Sequence, residues 1–540
     1  MTIGRGYPHG MPDFVPAESP PESSLLRSFD PATGNVVRQF RANTAGEVRD
    51  AVARARAAAP AWAALGPTDR AKAMAEVRHE IHRRMDDLVN VISRETGKPR
   101  AEAMSHDVLP SLLTIAYLSA VAPRALRPTH PGRLLGPILA TRSRIEWRPF
   151  GVVGAITPWN YPLFLSVMAI APALLAGNAV VLKPSEITPG VGALMAEVLS
   201  VLPRGVCEVV LGGGDIGAAL VDAPCDKVCF VGSAATGRRI SQAAANHLTP
   251  VVMELGGQDA AIVCADADVD VTASGVLWGA FLNCGQTCAA IERVYVVGTI
   301  ADEFERVLLD KLSRVAAGPG SVHPDIGPLT AERQFDVVER HVADAVGKGA
   351  RVLAGGGGVG IRAKDGSLWF APTVLEGRSN DMALFREETF GPVLPIVRVR
   401  DEGEAIRRAN EDGCNLTASV WSRDSRRAEE LASRLVAGTV TVNDHASTAA
   451  VPWGLWGGIH ESGYGRLQGE LGLREFCAPV HVATNMVPRL KRLWWYPYDE
   501  ATNAALRAFA VMLSAPTLSE KGAAARTLVV NVARSIRSKI

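Results

Sequence analysis

The chain has 540 residues, 47% of them hydrophobic, 21% charged and 6% aromatic, which predicts a globular protein of about two to four folding units and excludes a small binding module. Lys and Arg number 57 against 56 Asp and Glu, so we expect no nucleic-acid partner. The eight cysteines are too few for a disulfide framework and the first residues lack the order of a signal peptide, which predicts a reducing, cytoplasmic location.

The N-terminal part carries helical patterns and no catalytic motif. We predict a loose, Pro-rich segment over residues 1–25 and the helical part of a first domain over residues 26–142. Within the latter, Thr44–Thr96 is rich in Ala, Arg and Glu at the spacing of surface helices.

Residues 151–256 alternate short β-branched runs with helical patterns. The runs are VVGAIT, AVVLKP, EVVLGGG, KVCFVG and PVVMELGG, and this alternation predicts an α/β domain with a Rossmann-like, doubly wound parallel sheet. Ligands of such sheets bind beyond the carboxyl ends of the strands. The uncharged stretch from Gly151 to Leu182 is long enough to cross a bilayer, but its internal Pro, Asn and Gly residues favour a buried β-α-β unit.

A second α/β domain is predicted over residues 257–445, followed by a return segment over residues 446–484. Its strand-like runs are AAIVC, RVYVVG, VLPIVRV, ASVWS and GTVTVN, and helical patterns cover Ala301–Val315 and Ala331–Gly347.

Residues 485–540 form a basic, aromatic C-terminal extension with nine Lys or Arg against three Asp or Glu. Its opening RLKRLWWYPYDE joins basic residues to four aromatic rings, and Val529, Val532, Ala533, Ile536 and Ile540 fall on one helical face. Two alternatives stay open: a helix lying on a membrane surface and a helix packed on its own protein.

Cys288, in FLNCGQTCAA, follows a helical pattern over Val269–Leu282. A nucleophilic cysteine needs a positive environment that makes its thiol acidic. Cys284 lies four residues earlier, but no second Cys or His pair at ligand spacing accompanies the two, so we expect no metal site. The remaining cysteines are interpreted as small core residues.

Glu254 and Asn160 are polar residues next to predicted strands. Glu254, in MELGGQDA, is either a general base or a strand-end residue facing solvent. Asn160, in ITPWNYP, is either an amide donor to an oxyanion or ordinary turn chemistry.

The run VCFVGSAATGRRI predicts a strand, a glycine loop and a helix. Gly232, Ser233 and Gly237 lie where helix amides would meet a phosphate. The spacing matches neither GxGxxG nor a P-loop, so a plain glycine turn is the alternative.

Taken together in this order, these segments resemble the NAD(P)-dependent aldehyde dehydrogenase superfamily, over roughly Ser28 to Ala483. The resemblance implies oxidation of an aldehyde to a carboxylic acid through a cysteine thiohemiacetal and thioester. It implies that Cys288 (FxNxGQxC) is the nucleophile, Glu254 (ELGG) the general base and Asn160 (PWNYP) the oxyanion donor.

The resemblance also implies an NAD site and a substrate pocket. Lys183 and Glu186 of KPSE match the adenosine-ribose contacts, Ser233 faces the pyrophosphate, and Glu388 and Phe390 of EETFGP match the contacts to the nicotinamide ribose and the nicotinamide. Further cofactor contacts are expected at Thr157, Pro158, Trp159, Ser185 and Gly232, and pocket residues at Tyr161, Met168, Thr287 and Trp453. Because Glu186 would repel a 2′-phosphate, NAD is the expected coenzyme, with NADP as the alternative.

Members of this superfamily are usually homodimers or homotetramers built through a small bridging sheet. We expect a bridging strand over residues 143–150, centred on Ser143–Trp147, and a second at Val480–Thr484. The sequence departs from the family at Gln258, where ELGGK is usual, and at PWGLWGG, where PFGG is usual. Similar branches include succinate-semialdehyde dehydrogenase-like and fatty aldehyde dehydrogenase-like proteins, so the aldehyde stays open.

Two other functions compete with aldehyde oxidation. One is a cysteine hydrolase or esterase without nicotinamide chemistry, in which His445 or His460 would approach Cys288 in space. The other is a non-catalytic scaffold of the same fold.

Overall fold

The computed structural model describes residues 25–131, 141–318, 323–356, 366–377, 381–411 and 414–539. Almost all of the segment predicted to be loose, residues 1–25, lies outside the described residues. The chain divides into two compact units. The first consists of Met1–Arg127 and Trp147–Ala478, and the second of Pro128–Glu146 and Pro479–Ile540.

The strands alternate with helices along most of the chain. They are β1 (Leu25–Phe29), β2 (Val36–Arg41), β3 (Thr141–Pro149), β4 (Val152–Ile156), β5 (Ala179–Lys183), β6 (Cys207–Val209), β7 (Lys227–Gly232), β8 (Val251–Leu255), β9 (Asp259–Val263), β10 (Ile291–Val297), β11 (Arg351–Ala354), β12 (Thr373–Glu376), β13 (Val393–Val399), β14 (Cys414–Asn415), β15 (Thr417–Trp421), β16 (Thr439–Val442), β17 (Ile459–His460), β18 (Gly463–Tyr464) and β19 (Cys477–Asn485).

The helices are α1 (Ala45–Ala64), α2 (Pro67–Arg83), α3 (Met85–Thr96), α4 (Arg100–Glu102), α5 (Leu109–Ala125), α6 (Pro162–Ala176), α7 (Pro189–Leu199), α8 (Gly214–Asp222), α9 (Ala234–Ala245), α10 (Val269–Phe281), α11 (Gly298–Leu312), α12 (Glu332–Gly347), α13 (Glu402–Asn410), α14 (Ser425–Ala432), α15 (Gly469–Glu475), α16 (Glu500–Ser514) and α17 (Leu518–Ser538). A π-helical segment, Ala103–Val108, joins α4 to α5, and 3₁₀ turns cover Leu282–Gly285, Ala383–Phe385 and Ser447–Ala450.

The first unit contains two large sheets. One has the strand order β18-β8-β7-β4-β5-β6, in which only the short edge strand β18 is antiparallel to its neighbour. The other has the order β11-β12-β13-β10-β9-β15-β16, in which only β11 is antiparallel to its neighbour. The predicted α/β class with doubly wound parallel sheets is therefore confirmed.

The uncharged stretch 151–182 forms β4, α6 and β5, as its internal Pro, Asn and Gly residues predicted. All residues of the two strands and of α6 are buried, because helices cover both faces of a parallel sheet. Pro162 occupies the first turn of α6, and Gly177 ends it with φ of 103°, a conformation that favours glycine.

A different stretch is the candidate membrane span among the described residues. The continuous helical region Arg100–Ala125 is long and apolar enough to cross a bilayer by length and composition. Ile115, Leu118 and Ala122 of this region are buried in the same hydrophobic core as α6. This packing is typical of a core helix.

The second unit holds a strand pair and a helix pair. β3 pairs with β19 in a two-stranded sheet. The helices α16 and α17 pack against each other around small residues such as Ala505, Ala508 and Ala524. At one end of the pair the hydroxyl groups of Thr502 and Ser535 lie 2.6 Å apart, and Lys539 Nζ donates to Thr502 Oγ1.

Candidate active site

Cys288 follows a tight loop at the end of α10. Asn283, Cys284 and Gly285 have left-handed backbone conformations, with φ of 53°, 58° and 71°. A Cβ atom at Gly285 would lie 2.1 Å from the backbone oxygen of Gly391, so only glycine fits here. The glycine of GQTC therefore lets the cysteine loop pack directly against the EETFGP segment.

The Cys288 thiol is half-buried in an acidic environment. Burial raises the pKa of Cys288 well above that of a free thiol, and the negative charges of Glu254, Asp259 and Glu388 raise it further. The described side chains thus do not supply the positive environment expected around a nucleophilic cysteine. The thiol needs a base to take its proton before the sulfur can act as a nucleophile.

Glu254, near the end of β8, is a carboxyl group next to this thiol. Its side chain is buried, and neither carboxylate oxygen has a hydrogen-bond partner among the described residues. Burial raises the pKa of Glu254 to about 7, although the neighbouring Cys288 thiol and Trp456 indole lower it in part. A carboxyl group with this pKa exchanges protons readily near neutral pH. The solvent-facing alternative for Glu254 is wrong.

Asn160 lies beside the cysteine loop, immediately before α6. Its side-chain Nδ2 donates to the backbone oxygen of Gln286 at 3.1 Å. An amide nitrogen carries two N–H groups, so the second can serve another acceptor. The backbone oxygen of Asn160 accepts from Lys98 Nζ at 2.5 Å and from Asn283 Nδ2 at 3.0 Å. These contacts fix the residue far more firmly than a simple turn would.

A buried ion pair that the sequence analysis missed supports this arrangement. Lys98 Nζ lies 2.8 Å from Asp107 Oδ2, and both side chains are fully buried. Asp107 Oδ1 also accepts from the backbone N–H groups of Leu163 and Phe164, each at 3.2 Å. The pair therefore links the first turn of α6 to the Asn160 carbonyl. No sequence motif marked Lys98, because its partners Asp107 and Asn160 lie 9 and 62 residues further along the chain.

A cavity of about 180 Å³ opens at Cys288. Two of the four predicted pocket residues line it: Tyr161 and Thr287, whose hydroxyl groups lie 2.6 Å apart. The other two lie elsewhere. Met168 is fully buried on the far part of α6, where its sulfur accepts from Gln468 Nε2. Trp453 is 67% exposed and meets the edge of the Tyr117 ring.

The predictions for Met168 and Trp453 therefore need correction. Met168 lies two turns of α6 beyond Tyr161, where the helix faces the core. Of the two indoles in PWGLWGG, the one that lines the cavity is that of Trp456, which is 2% exposed. Both indoles belong to PWGLWGG, the segment in which the sequence departs from the family, and the sequence alone did not show which of the two turns inward.

The two histidines considered for a hydrolase do not pair with the thiol. His445 is buried, and its Nε2 lies 2.8 Å from the backbone oxygen of Ala289. Burial lowers the pKa of His445 to about 4. His460 is an exposed residue of β17 and lines a separate surface cavity. Within the described residues, no group of three His, Cys, Asp or Glu side chains could hold a metal ion.

The predicted ribose contacts lie where β5 ends. Lys183 Nζ lies 2.9 Å from Glu186 Oε2. Burial tends to raise the pKa of Glu186, but the Lys183 charge and hydrogen bond keep it below its usual value. Glu186 is therefore ionised and remains partly exposed, which suits hydrogen bonding to ribose hydroxyls. Nearby, Ser185 Oγ accepts from the Ile187 N–H at 3.2 Å.

Ser233 caps the N-terminus of α9, directly after Gly232 at the end of β7. Its hydroxyl oxygen accepts from the Thr236 N–H at 3.4 Å. Free amide groups at a helix start attract an anion such as a pyrophosphate. Thr157 and Pro158 lie beyond the neighbouring strand β4, where Thr157 Oγ1 is 2.8 Å from Ser166 Oγ.

Glu388 and Phe390 pack onto this edge of the two sheets. Glu388 Oε1 is buried without a partner, and its carboxylate occupies the space that a Cβ at Gly256 would fill. Phe390 has φ of 50°, and its ring meets Trp159 edge to face at 5.6 Å. Its N–H donates to Glu292 Oε1 at 2.8 Å. A buried carboxylate oxygen without a partner among the described residues, beside a glycine, is suited to hold a ribose hydroxyl, so the residues fit the implied dinucleotide.

Known proteins share this sequence and fold over most of the chain. Residues 16–482 match the aldehyde dehydrogenase family. The chain is 38% identical over 478 residues to a 4,4′-diapolycopene aldehyde oxidase of Methylomonas sp, covering 88% of this chain and 89% of that protein. It is 38% identical over 467 residues to a Mycolicibacterium smegmatis protein named as a succinate-semialdehyde dehydrogenase (NADP+), covering 85% and 88% of the two chains.

Solved structures agree with these relatives. A Mycobacterium tuberculosis aldehyde dehydrogenase complexed with NAD+ superposes with a TM-score of 0.80 at 34% identity, covering 86% of this chain and 95% of that one. PnpE from Pseudomonas sp. WBC-3, in complex with nicotinamide adenine dinucleotide, superposes with a TM-score of 0.81 at 32% identity, covering 86% and 94%. The chain therefore belongs to the aldehyde dehydrogenase family and is an oxidoreductase that converts an aldehyde to a carboxylic acid with NAD, or with NADP as the alternative coenzyme.

Proposed function

We propose that Cys288 is the nucleophile of this oxidation, Glu254 its general base and Asn160 its oxyanion donor. The observation that carries the proposal is the Glu254 carboxylate. It is buried next to Cys288, has a pKa of about 7, and neither of its oxygens has a partner among the described residues. A buried charge without a partner is costly, and such a cost is typical of a group kept for proton transfer.

The first half of the reaction forms a thioester. Glu254 takes the thiol proton of Cys288, and the sulfur bonds to the aldehyde carbon to give a thiohemiacetal. The Asn160 amide and the Cys288 backbone N–H donate to the resulting oxyanion. NAD, when bound, accepts the hydride that leaves this carbon.

The second half releases the acid. Glu254 first releases the thiol's proton to solvent, and then takes a proton from water, whose oxygen bonds to the acyl carbon. As the carbon–sulfur bond breaks, Glu254 returns this proton to the departing sulfur. The products are a carboxylic acid and the restored thiol. A hydrolysing base beside the sulfur favours this outcome over transfer of the acyl group to another thiol.

We further propose that the coenzyme is held by residues at the carboxyl ends of β4, β5 and β7, together with two residues that precede β13. The first group is Thr157, Pro158, Trp159, Lys183, Ser185, Glu186, Gly232 and Ser233, and the second is Glu388 and Phe390. The Lys183–Glu186 ion pair and the start of α9 at Ser233 support this assignment. An ionised Glu186 also favours NAD, because it would repel a 2′-phosphate.

The decisive experiment incubates the purified enzyme with NAD and a panel of aldehydes. We expect NADH formation and an acyl adduct that mass spectrometry locates on Cys288. Neither NADH nor an adduct with any aldehyde would refute the proposal. Ester cleavage at full rate without coenzyme would instead support the hydrolase alternative.

We propose a cytoplasmic homodimer or homotetramer in which β3 and β19 form the bridging sheet. The support is that these strands pair with each other in a sheet of two, which leaves strand edges for another subunit. Light scattering on the purified protein would test the assembly. Separately, we propose that the domain boundaries lie at residues 142, 150, 256, 445 and 484.

We propose finally that residues 485–540 contact an anionic membrane surface. Trp494, Trp495, Tyr496 and Tyr498 are all at least 44% exposed, and aromatic rings of this kind favour the interface between lipid and water. The extension carries nine basic residues against three acidic ones, which attracts anionic lipid. Val529 of α17 is 71% exposed, although other residues of the same helix pack on α16.

A further inference from the structure

We propose that the aldehyde oxidised here is uncharged and apolar along the whole part that enters the cavity, as in an alkyl or aryl aldehyde, and not a semialdehyde bearing a carboxylate. This inference rests on the proposed function, because it assumes that the aldehyde carbon reaches Cys288. It concerns the cavity at that sulfur, and it separates the two kinds of substrate that the family leaves open.

The walls of the cavity are apolar. Phe164, Leu165, Trp278, Leu282 and Trp456 supply most of its large side chains. No Lys, Arg, Asp or Glu is among the described residues that line it. A carboxylate on the substrate would therefore enter without a cation to pair with.

The polar groups in the lining are engaged with one another. Tyr161 and Thr287 share a hydrogen bond of 2.6 Å, and Thr287 also donates to the Leu282 backbone oxygen at 3.2 Å. His106 Nδ1 lies 2.9 Å from Ser105 Oγ, and its ring lies 5.8 Å from that of Trp278. Burial lowers the pKa of His106, so its ring is neutral at pH 7.

The cation next to Tyr161 is Lys98, and it already has partners. Lys98 Nζ lies 4.0 Å from the centroid of the Tyr161 ring. It is bound by Asp107 at 2.8 Å and by the Asn160 carbonyl at 2.5 Å, with its side chain fully buried. If Lys98 paired with a substrate carboxylate, its ion pair with Asp107 would have to break, and this would leave the buried Asp107 charge unpaired.

The lining therefore selects against charge and for hydrocarbon. Enclosing an unpaired carboxylate costs enough to lower binding by at least about 100-fold. Each methylene group taken from water into an apolar cavity strengthens binding about fourfold. These two effects work in the same direction for a chain-like or aromatic aldehyde.

The test compares two aldehydes with the same four-carbon chain, succinate semialdehyde and its methyl ester, whose extra methyl group accounts for only about fourfold by itself. With the holoenzyme and NAD, we expect kcat/KM for the ester to exceed that for the semialdehyde by about 100-fold or more. A series of straight-chain alkanals should show kcat/KM rising about fourfold per added methylene until the cavity is filled.

A variant of the wall gives an independent readout. Trp278 is 39% exposed, so Trp278→Arg can place a charge there at modest cost. We expect this variant to shift the ratio of the two kcat/KM values about tenfold or more toward the semialdehyde. Trp278→Met is the matched control for the lost ring and should leave the ratio unchanged. Equal ratios in the Arg and Met variants would count against the inference.

The failure of this inference differs from the failure of the proposed function. If succinate semialdehyde is oxidised faster than its ester, the substrate class is wrong while Cys288 chemistry stands. If no aldehyde yields NADH or an adduct on Cys288, the proposed function itself is refuted.

Discussion

Replacement of Glu254 by Gln should stabilise the protein at pH 8 while disabling it. Burial raises the pKa of Glu254 from 4.5 to about 7, so the folded state disfavours the ionised form. Such a rise corresponds to about 3 kcal/mol above pH 7. The cost is absent below pH 4.5, where the group is protonated in both states, and it develops as the pH rises from 4.5 to about 7.

The measurements are Tm at two pH values and rapid-mixing kinetics. Tm of Glu254→Gln should exceed that of the wild type at pH 8, with most of the difference gone at pH 5. Steady-state NADH formation should fall by about 10² to 10⁴, because thioester hydrolysis lacks its base. The exposed Glu303→Gln is the matched control and should change neither quantity. A lower Tm for Glu254→Gln at pH 8, or undiminished turnover, would refute this account of the carboxylate.

Other variants test the remaining parts of the site. Cys288→Ala should abolish NADH formation and adduct detection by mass spectrometry, and residual full activity would remove Cys288 from the mechanism. Asn160→Ala should lower kcat by about 10² to 10³ in the same assay, and a change in KM alone would argue against an oxyanion role. Lys98→Met should lower both Tm and kcat. Adding Asp107→Asn removes the unpaired charge but keeps an oxygen that accepts from Leu163 and Phe164, so it should restore Tm but not kcat, and recovery of both would reduce the pair to a structural role. Deleting residues 488–540 should release the enzyme from anionic vesicles on sedimentation without loss of short-aldehyde oxidation, and undiminished vesicle binding would exclude the extension as the contact.

Much of the fold could be predicted because its strands are buried on both faces. Strands such as β4 and β5 then appear as continuous β-branched runs between turn residues. The helix predicted over Ala331–Gly347 is α12, Glu332–Gly347. The two-residue strands β14, β17 and β18 left no pattern, since their pairing depends on tertiary contacts. The pairing of α16 with α17 was equally invisible, because small alanines carry its interface.

Residues of the candidate site could be predicted where a short, continuous segment of the sequence contains the whole motif. Cys288, Glu254 and Asn160 each belong to such a segment. Lys98 does not, and PWGLWGG, which holds Trp456, does not show which of its two indoles faces the cavity. Both roles become clear only when segments of the fold meet. The charge state of the thiol was also beyond the sequence, since it depends on three carboxylates brought close by the two sheets.

Most of the cavity wall lies outside the cysteine loop. The loop tolerates little change, because its left-handed residues and Gly285 leave no room for other side chains. Leu282 and residues 287–289 of the cysteine segment line the cavity, but the other wall residues come from the segment 105–110, the segment 161–165 at the start of α6, α10 and the segment 446–456. Saturation mutagenesis confined to wall positions can therefore retarget the enzyme to new aldehydes while the reacting atom keeps its setting, whereas randomising the loop would mostly yield inactive clones.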